Sequence, residues 1–397
     1  MKWHHVEMGK VANVVSGFGF PREFQGLTDE EFPFFKVSDM NLPGNEKCMT
    51  TIANTISGAT LKKLKAKAFP KGTIIFPKIG AAIATNKKRV LTQPSVVDNN
   101  VMGLIPKSQI NSWYLYYWML QFDLRSVSNI GPVPSMRKTE VERVSIPLPP
   151  PSEQRRIVEI LDQADALRKK RAEADAKASR ILPALFYGMF GDPATNPKGW
   201  EQKSFDDTFD DCTAKFPKLQ RNAYHQAGKF PVVDQGKELI AGYTDDKSLV
   251  TAVDQSVIVF GDHTRIVKFV DFPFVAGADG SRVFMAKKGF LPAFLACQLE
   301  LQPIPNLGYS RHMREVRRLH FIAPPLELQE SFTQHYIDTC QLLRSQASCC
   351  SRIDAIFRNL LYRAFTSDLT AKWREAHMKE LLQEMERQAK ALGIKEP

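Results

Sequence analysis

Residues 146–192 read IPLPPPSEQRRIVEILDQADALRKKRAEADAKASRILPALFYGMFGD. The stretch opens with a proline block, Pro147 to Pro151. Proline has no amide hydrogen to give a helix or a sheet ladder, so the block closes whatever domain precedes it. Ser152 then stands at an N-cap position with Glu153 in the first turn. From there to Tyr187 the residues are those of a long helix, rich in Ala, Leu, Arg, Lys and Glu. Ile157, Ile160, Ala164, Leu167, Arg171, Ala174, Ala178, Ile181 and Leu185 recur at alternating spacings of three and four, which is a heptad seam. The alanines let a second helix approach closely, and Pro183 predicts a bend in the last turns.

The same stretch returns at residues 321–369, FIAPPLELQESFTQHYIDTCQLLRSQASCCSRIDAIFRNLLYRAFTSDL. At a constant offset of 175, Pro149 and Pro150 match Pro324 and Pro325, Gln154 matches Gln329, Leu185 matches Leu360, Tyr187 matches Tyr362 and Phe190 matches Phe365. The second copy has its own seam at Tyr336, Cys340, Leu343, Ala347, Cys350, Phe357, Leu361 and Ala364. Two unrelated amphipathic helices do not account for an ungapped correspondence over more than forty residues. What precedes each helix is repeated as well: Trp3 with Trp200, Ile74-Ile75-Phe76 with Ile258-Val259-Phe260, and Leu115 to Leu120 with Phe294 to Leu299. The chain is therefore a tandem repeat of long period, domain–helix–domain–helix.

Within the first unit, residues 11–22 (VANVVSGFGFPR) join a β-rich run to a glycine-rich turn whose spacing is not that of a dinucleotide-binding loop. Phe34 to Val37 and Gly72 to Phe76 read as strands, the second entering a loop from Pro77 to Arg89, and Ser95 to Val97 returns to the sheet. Trp113 to Phe122 is an aromatic helix whose density of large side chains assigns it to the core rather than to a base-stacking platform. The second unit follows the same course, with loops at 234–236, 262–265 and 309–314.

At this point the sequence resembles the DNA-specificity subunits of type I restriction–modification systems. IPLPPPSEQRRIVEILDQADALRKKR is close to that family's first spacer, and Gly308-Tyr309-Ser310-Arg311-His312 before the second proline stop is similar to another of its recurrent phrases. Leu328 departs from the pattern, standing where the first copy has Glu153. The resemblance implies that each globular domain reads half of a split DNA target while the helices hold the two apart. The implied fold class is mixed α/β (α+β). It comprises two tandem globular target-recognition domains separated by two long antiparallel coiled-coil helices in a pseudo-twofold arrangement. The boundaries are 1–149 for the first domain, 150–191 for its helix, 192–324 for the second domain, 325–367 for its helix and 368–397 for a further amphipathic helix. Trp373, Met378, Leu381, Leu382, Met385 and Ala389 form the apolar face of that last helix, which either packs on this chain or docks to a partner.

Composition agrees with this reading. A length of 397 residues allows two core-bearing domains, and no apolar run is long enough to cross a bilayer. MKWHHVEMGK is not a secretory signal, and six cysteines without paired metal spacing read as reduced cytoplasmic thiols, with Cys340 and Cys350 in the seam and Cys349 beside it. His4-His5 is a lone pair and no metal site. The net charge of +11 favours a polyanion, and residues 61–90 hold nine Lys or Arg and no acid.

Base reading needs Arg, Lys, Asn, Gln, Ser or Thr at groove edges, whereas phosphate positioning needs mainly cations and amides. Lys78, Asn86, Lys87, Lys88, Arg89 and Arg137 are the DNA-binding candidates in the first domain, and His263, Arg265, Tyr309, Ser310 and Arg311 in the second. No nucleotide-binding GxxxxGK[ST] loop, Asn-Pro-Pro-Tyr or Asp-Pro-Pro-Tyr tetrapeptide, or HExxH occurs, so no catalytic, cofactor-binding or metal-ligating residue is assigned. The family resemblance places the chemistry in partners. Two modification subunits with S-adenosylmethionine methylate adenine in double-stranded DNA, and restriction subunits, where the system has them, use ATP and magnesium. The competing reading is a stand-alone DNA-acting enzyme, such as a nuclease, with an unrecognised active site.

Overall fold

The computed structural model describes residues 2–129, 131–252, 255–278 and 280–394, with side chains throughout except at 344 and 346–351. It divides into two compact units, Met1–Lys169 with Ser351–Pro397, and Lys170–Cys350. Each unit thus takes one globular domain together with part of both long helices.

In the first unit the strand Ile74–Pro77 lies inside a five-stranded sheet, flanked by Val101–Pro106 and Arg89–Leu91, with Ala12–Ser16 and Cys48–Met49 at the edges. Ile74 faces Leu104 on one side and Val90 on the other, both antiparallel. An unbroken apolar run is the mark of a strand buried on both faces. Here Ile74 and Phe76 pack with Tyr114, Leu115 and Tyr117 of the helix Ser112–Gln121. Ile75 points the other way, into Phe35, Met49, Leu91 and Val97. Beside this sheet, Phe32–Phe35 pairs antiparallel with Thr55–Ile56 and parallel with Val96–Val97.

The second unit repeats the plan. Val257–Gly261 lies between Ser281–Ala286 and Val267–Val270, with Phe209–Asp211 outermost. Ile258 faces Phe284 and Phe269. Ile258 and Phe260 pack with Phe294 and Leu295 of the helix Pro292–Leu301, whereas Val257 and Val259 meet Val233, Phe274 and Val283. Phe230–Val233 runs parallel to Val275–Gly277, as Phe32–Phe35 does to Val96–Val97.

Each proline stop is held twice. Ser145–Leu148 pairs with the N-terminal strand His4–Glu7, and His320–Ile322 pairs with Gln202–Ser204. Inside the first turn of each long helix, a fully buried glutamine completes the joint. Gln154 Oε1 accepts the Asn111 N–H (2.7 Å), and its Nε2 donates to the Gln109 and Pro149 carbonyls (3.1 and 2.9 Å). Gln329 makes the same three bonds, with the Leu291 N–H (3.0 Å) and the Gly289 and Pro324 carbonyls (3.1 and 2.8 Å). Its amide supplies both an acceptor and a donor pair, so one side chain ties the helix to the start of the neighbouring core helix and to the proline stop.

The long helices differ from the sequence reading in four respects. The first begins at Pro151, a position that needs no N–H donor, rather than after Ser152. Ser152 instead donates its N–H to Glu384 Oε2 at 2.8 Å and its hydroxyl to Oε1. Glu153 is fully buried, accepting from Trp3 Nε1 (2.9 Å), Thr370 Oγ1 (2.6 Å) and Arg374 Nε (2.7 Å). That fastens the C-terminal segment to the first unit, a part that Leu328 at the matching place has no carboxylate to play.

Secondly, helix 150–191 is two helices, Pro151–Ala178 and Ile181–Phe190. Pro183 cannot donate to the carbonyl of Ser179, and its ring crowds that group, so the helix is interrupted at 179–180 where the proline predicts a bend.

Thirdly, one half of the expected seam lies a residue later. Leu167 and Ile181 are exposed, while Leu161 is buried and Arg168 and Asp175 occupy the next inward positions. Arg168 donates to Asp354 at 2.7 Å and lies over the Phe357 ring, and Arg171 pairs with Asp175 at 2.8 Å. A polar stripe occupies the place that the periodicity assigns to an apolar one. In the second helix, Leu326–Phe365, Tyr336, Phe357, Leu361 and Ala364 are buried and Cys340 is half-buried. Ala347, Cys349 and Cys350 lie outside the described side chains.

Fourthly, the C-terminal segment breaks at His377 into Ala371–Ala376 and Met378–Leu392. Leu381, Met385 and Ala389 are buried against the first unit and Leu382 is exposed. Gln388 donates to the Gln109 carbonyl at 3.2 Å, so this helix packs on its own chain. No helix among the described residues is long and apolar enough to cross a membrane.

Candidate nucleic-acid interface

In both units the loop leaving the central strand clasps the loop that precedes the proline stop. In the second unit the strand ends at Gly261, and Asp262 is fully buried below the loop. Asp262 Oδ1 accepts the N–H groups of His312 and Met313, both at 2.8 Å, and its carbonyl accepts the His312 N–H (2.9 Å) and Nδ1–H (2.8 Å). His312 Nε2 in turn accepts the Leu307 N–H at 3.1 Å. Arg282 Nε lies 3.5 Å from the other Asp262 oxygen. Every polar side-chain atom of the Asp262–His312 pair is thus engaged in holding the loop 306–313 or the strand beside it.

From this base His263, Tyr309, Ser310 and Arg311 rise to the surface. Tyr309 is 86% exposed. Its ring stacks on that of His263, with centroids 4.8 Å apart and planes 11° from parallel. His263 Nδ1 donates to the Tyr309 carbonyl (3.1 Å), and the His263 N–H donates to Gln235 Oε1 (3.2 Å). Gly280, at φ +87°, lets the chain pass close beneath: a Cβ there would stand 2.7 Å from both Gln235 and His263. Arg265 belongs to the frame instead. It adopts φ +62° and donates Nη1 to the Ile304 carbonyl at 2.9 Å.

The first unit builds the same clasp with other residues. The Met136 N–H donates to the Lys78 carbonyl (3.0 Å) and the Gly80 N–H to the Pro134 carbonyl (2.7 Å). Gly80, Ala81, Ala84, Ser128, Asn129 and Pro134 line a shallow groove of about 320 Å³ with Arg125 at its side. Val133 at the loop tip is 61% exposed, and Arg137 is exposed at the start of the helix Lys138–Glu142. Lys78 is half-buried at the root of the clasp.

The cationic stretch divides into an outward and an inward half. Lys88 does not belong among the DNA contacts, because it is enclosed at 1% exposure. Its Nζ donates to Asn86 Oδ1 (2.7 Å) and to the Phe122 carbonyl (2.6 Å), closing the end of the aromatic helix. Burial pulls its pKa down to about 8. Asn86 and Arg89, both half-buried, hold the neighbouring loops. Asn86, at φ +52°, also accepts the Leu124 N–H at 3.0 Å. Arg89 donates to the carbonyls of Lys88 (2.8 Å) and Met40 (3.0 Å), and burial lowers its pKa too. Lys268 plays the same part in the second unit, donating to the Asp234 and Glu238 carbonyls. Lys87 remains near the surface, in contact with Asn41 Oδ1. Lys62, Lys65, Lys67 and Lys71 are exposed and carry the outward charge of the stretch.

Sequence reasoning missed one cation altogether. Lys47 Nζ contacts Tyr117 Oη (2.9 Å), Asp162 Oδ1 (3.1 Å) and Asp165 Oδ2 (2.9 Å), and lies 4.9 Å from the centre of the Trp113 ring. It locks the first domain to its long helix. No local signal marks it, because its partners stand 70 to 118 residues away.

Residues 1–174 match the family model of the type I restriction modification DNA specificity domain. The type I restriction enzyme MjaIX specificity subunit of Methanocaldococcus jannaschii is 29% identical over 217 residues, 49% of this chain and 48% of that protein. The chain thus matches about half the length of this curated relative. Among solved structures, the S subunit of a type I restriction–modification system from M. genitalium aligns with a TM-score of 0.58 at 13% identity, covering 91% of this chain and 96% of that one. A structure described as the basis of complex assembly and conformational transition of the type I R-M system aligns with a TM-score of 0.50 at 16% identity, covering 93% and 98%. At these identities the likeness is one of fold.

Proposed function

We propose that the chain is a DNA-specificity subunit of the type I restriction–modification family, a reading supported by the match of residues 1–174 and by the curated relative, that it reads a two-part duplex target, one half with each unit, and that it carries no catalytic site itself. The observation that carries this reading is the duplicated clasp. One framework occurs in both units, anchored at Lys78 in the first and at Asp262 in the second, and it presents different side chains at its tip. Repetition of the frame with divergence of the tip is what two separate half-sites require. Phosphate positioning falls to Lys62, Lys65, Lys67, Lys71, Lys87 and Arg137 in the first unit and to Arg311 in the second.

In this reading the long helices form an antiparallel coiled coil that separates the half-sites about a pseudo-twofold axis. Two modification subunits with S-adenosylmethionine dock on them, and restriction subunits with ATP and magnesium join where the system has them, all in the cytoplasm. Exposed apolar residues support two equivalent docking faces. Leu167 and Leu342, Ile181 and Ile356, and Tyr187 and Tyr362 stand at the same offset of 175 and are all exposed. Mapping methylated adenines genome-wide in cells with and without this chain tests the proposal. A two-part motif that vanishes on deletion is the expected result. An unchanged map, or DNA cleavage by the purified chain alone with a metal ion, overturns it and favours the stand-alone enzyme.

A further inference from the structure

Tyr309 is the most exposed of the large hydrophobic side chains on the described surface, yet its ring and its carbonyl both have a partner. One face of its ring is covered by the parallel His263 imidazole, and its carbonyl is held by His263 Nδ1. His263 is itself held by Gln235, and the loop below is pinned by the buried Asp262–His312 pair. A lone surface tyrosine needs no such support. Left to solvent, the ring gains little from being ordered, and ordering it costs rotamer entropy. Fixing it before a partner arrives lowers the cost of binding, as a pre-organised recognition side chain does.

The two units show which part of the loop carries the information. Asn129 and Asn306, Gly131 and Gly308, and Met136 and Met313 stand at one offset of 177. Both asparagines use Oδ1 to accept a main-chain N–H of the same loop, Ser135 in one and Gly308 in the other. Between these fixed points Pro132, Val133 and Pro134 correspond to Tyr309, Ser310 and Arg311. The asparagine, glycine and methionine are common to the two loops and the tip is not. Arg311 supplies charge for a phosphate, whereas the neutral Tyr309 ring does not. Its hydroxyl can reach a phosphate oxygen, but only at a base-pair edge do both parts of the side chain find partners, the apolar ring against a thymine methyl and the hydroxyl in one hydrogen bond.

We propose that Tyr309, braced by His263, is a specificity-determining residue of the second unit that contacts base edges within its half-site. The proposal rests on the two-unit reading of the target given above. The test uses the full chain assembled with its modification subunits. Methylation motifs are mapped for Tyr309→Ala, Tyr309→Phe and His263→Ala, with thermal unfolding and the salt dependence of DNA binding measured alongside. Tyr309→Ala is expected to relax the preference at one to three base pairs of one half-site about tenfold or more, with the other half-site and the salt slope unchanged. His263→Ala relaxes the same base pairs less, and Tyr309→Phe separates the role of the ring from that of the hydroxyl. If the two-part motif of the Tyr309→Ala complex is identical to that of the parent, the inference fails while the two-unit reading stands. A uniform weakening across all sequences, or a change in both halves, also overturns it. If the parent complex shows no two-part motif, it is the underlying reading that fails.

Discussion

Enclosing an ammonium group inside a domain leaves a pH signature, and Lys88 is the residue to show it. Its pKa stands at about 8 in the folded protein because burial penalises the charged form, against 10.5 for an ordinary lysine. Between those two pH values the unfolded chain binds more protons than the folded one, so stability rises with pH. Below about pH 8 the ammonium is charged in both states and the full penalty applies. The difference amounts to up to about 3 kcal/mol. Lys88→Met is therefore expected to flatten the stability gain that the parent shows between about pH 8 and 10.5, read by denaturant unfolding at each pH. An equal gain in both proteins would mean that the Asn86 and Phe122 contacts do not hold Lys88 in place.

At the scale of the element, the stretch 61–90 combines two uses of positive charge in one sequence. Its inward half, Lys88 and Arg89, bonds to carbonyls of neighbouring loops. Its outward half, Lys62, Lys65, Lys67 and Lys71, is exposed. Lys63 is diverted, standing 3.6 Å from Glu23 and over the Phe24 ring. Neutralising Lys62, Lys65, Lys67 and Lys71 together is expected to weaken DNA binding by the assembled complex. It should also reduce the log–log salt slope by about 0.9 for each phosphate that is no longer neutralised. Lys88→Met leaves that slope unchanged. A slope unaffected by the fourfold variant would show that this face points away from DNA.

For the whole molecule the decisive question is what can be exchanged. Replacing residues 1–146 with the matching domain of a relative is expected to change one half of the target and leave the other as it was. The exchange has a structural condition. Residues 1–146 include Trp3, which donates to Glu153, and Lys47, which bonds Asp162 and Asp165 of the first long helix. A donor domain lacking Trp3 leaves buried Glu153 without one partner, which is costly for a buried charge, and one lacking Lys47 leaves Asp162 and Asp165 without the cation that ties the domain to the helix. Exchanges that keep both groups should methylate as fully as the parent, with one altered half-site; those without Lys47 should bind weakly through that half. Methylation mapping of both kinds decides it, and a change in both half-sites would mean that the units share one recognition surface.

The proline stops, the repeated long helices, the apolar strand Ile74–Phe76 and its counterpart at Ile258, and the aromatic core helix are all legible from local composition and periodicity. So is the position of the clasp loops, because loops announce themselves through Gly, Pro, Asn and Ser. Burial of charged groups is not. Lys87, Lys88 and Arg89 are consecutive in the chain, and nothing in the sequence separates the lysine near the surface from the one enclosed behind Phe122. Partners more than thirty residues away decide it. The phase of the helix seam goes the same way. Leu167 has the character of a knob, but Arg168 faces inward because Asp354 and Phe357 wait for it. Glu153 reads as a first-turn acid, and tertiary structure makes it the buried anchor of residues 217 and 221 positions further on. Sequence records what each residue prefers; which preference is met depends on the neighbours that folding brings, and for a charge those neighbours fix both its energy and its use.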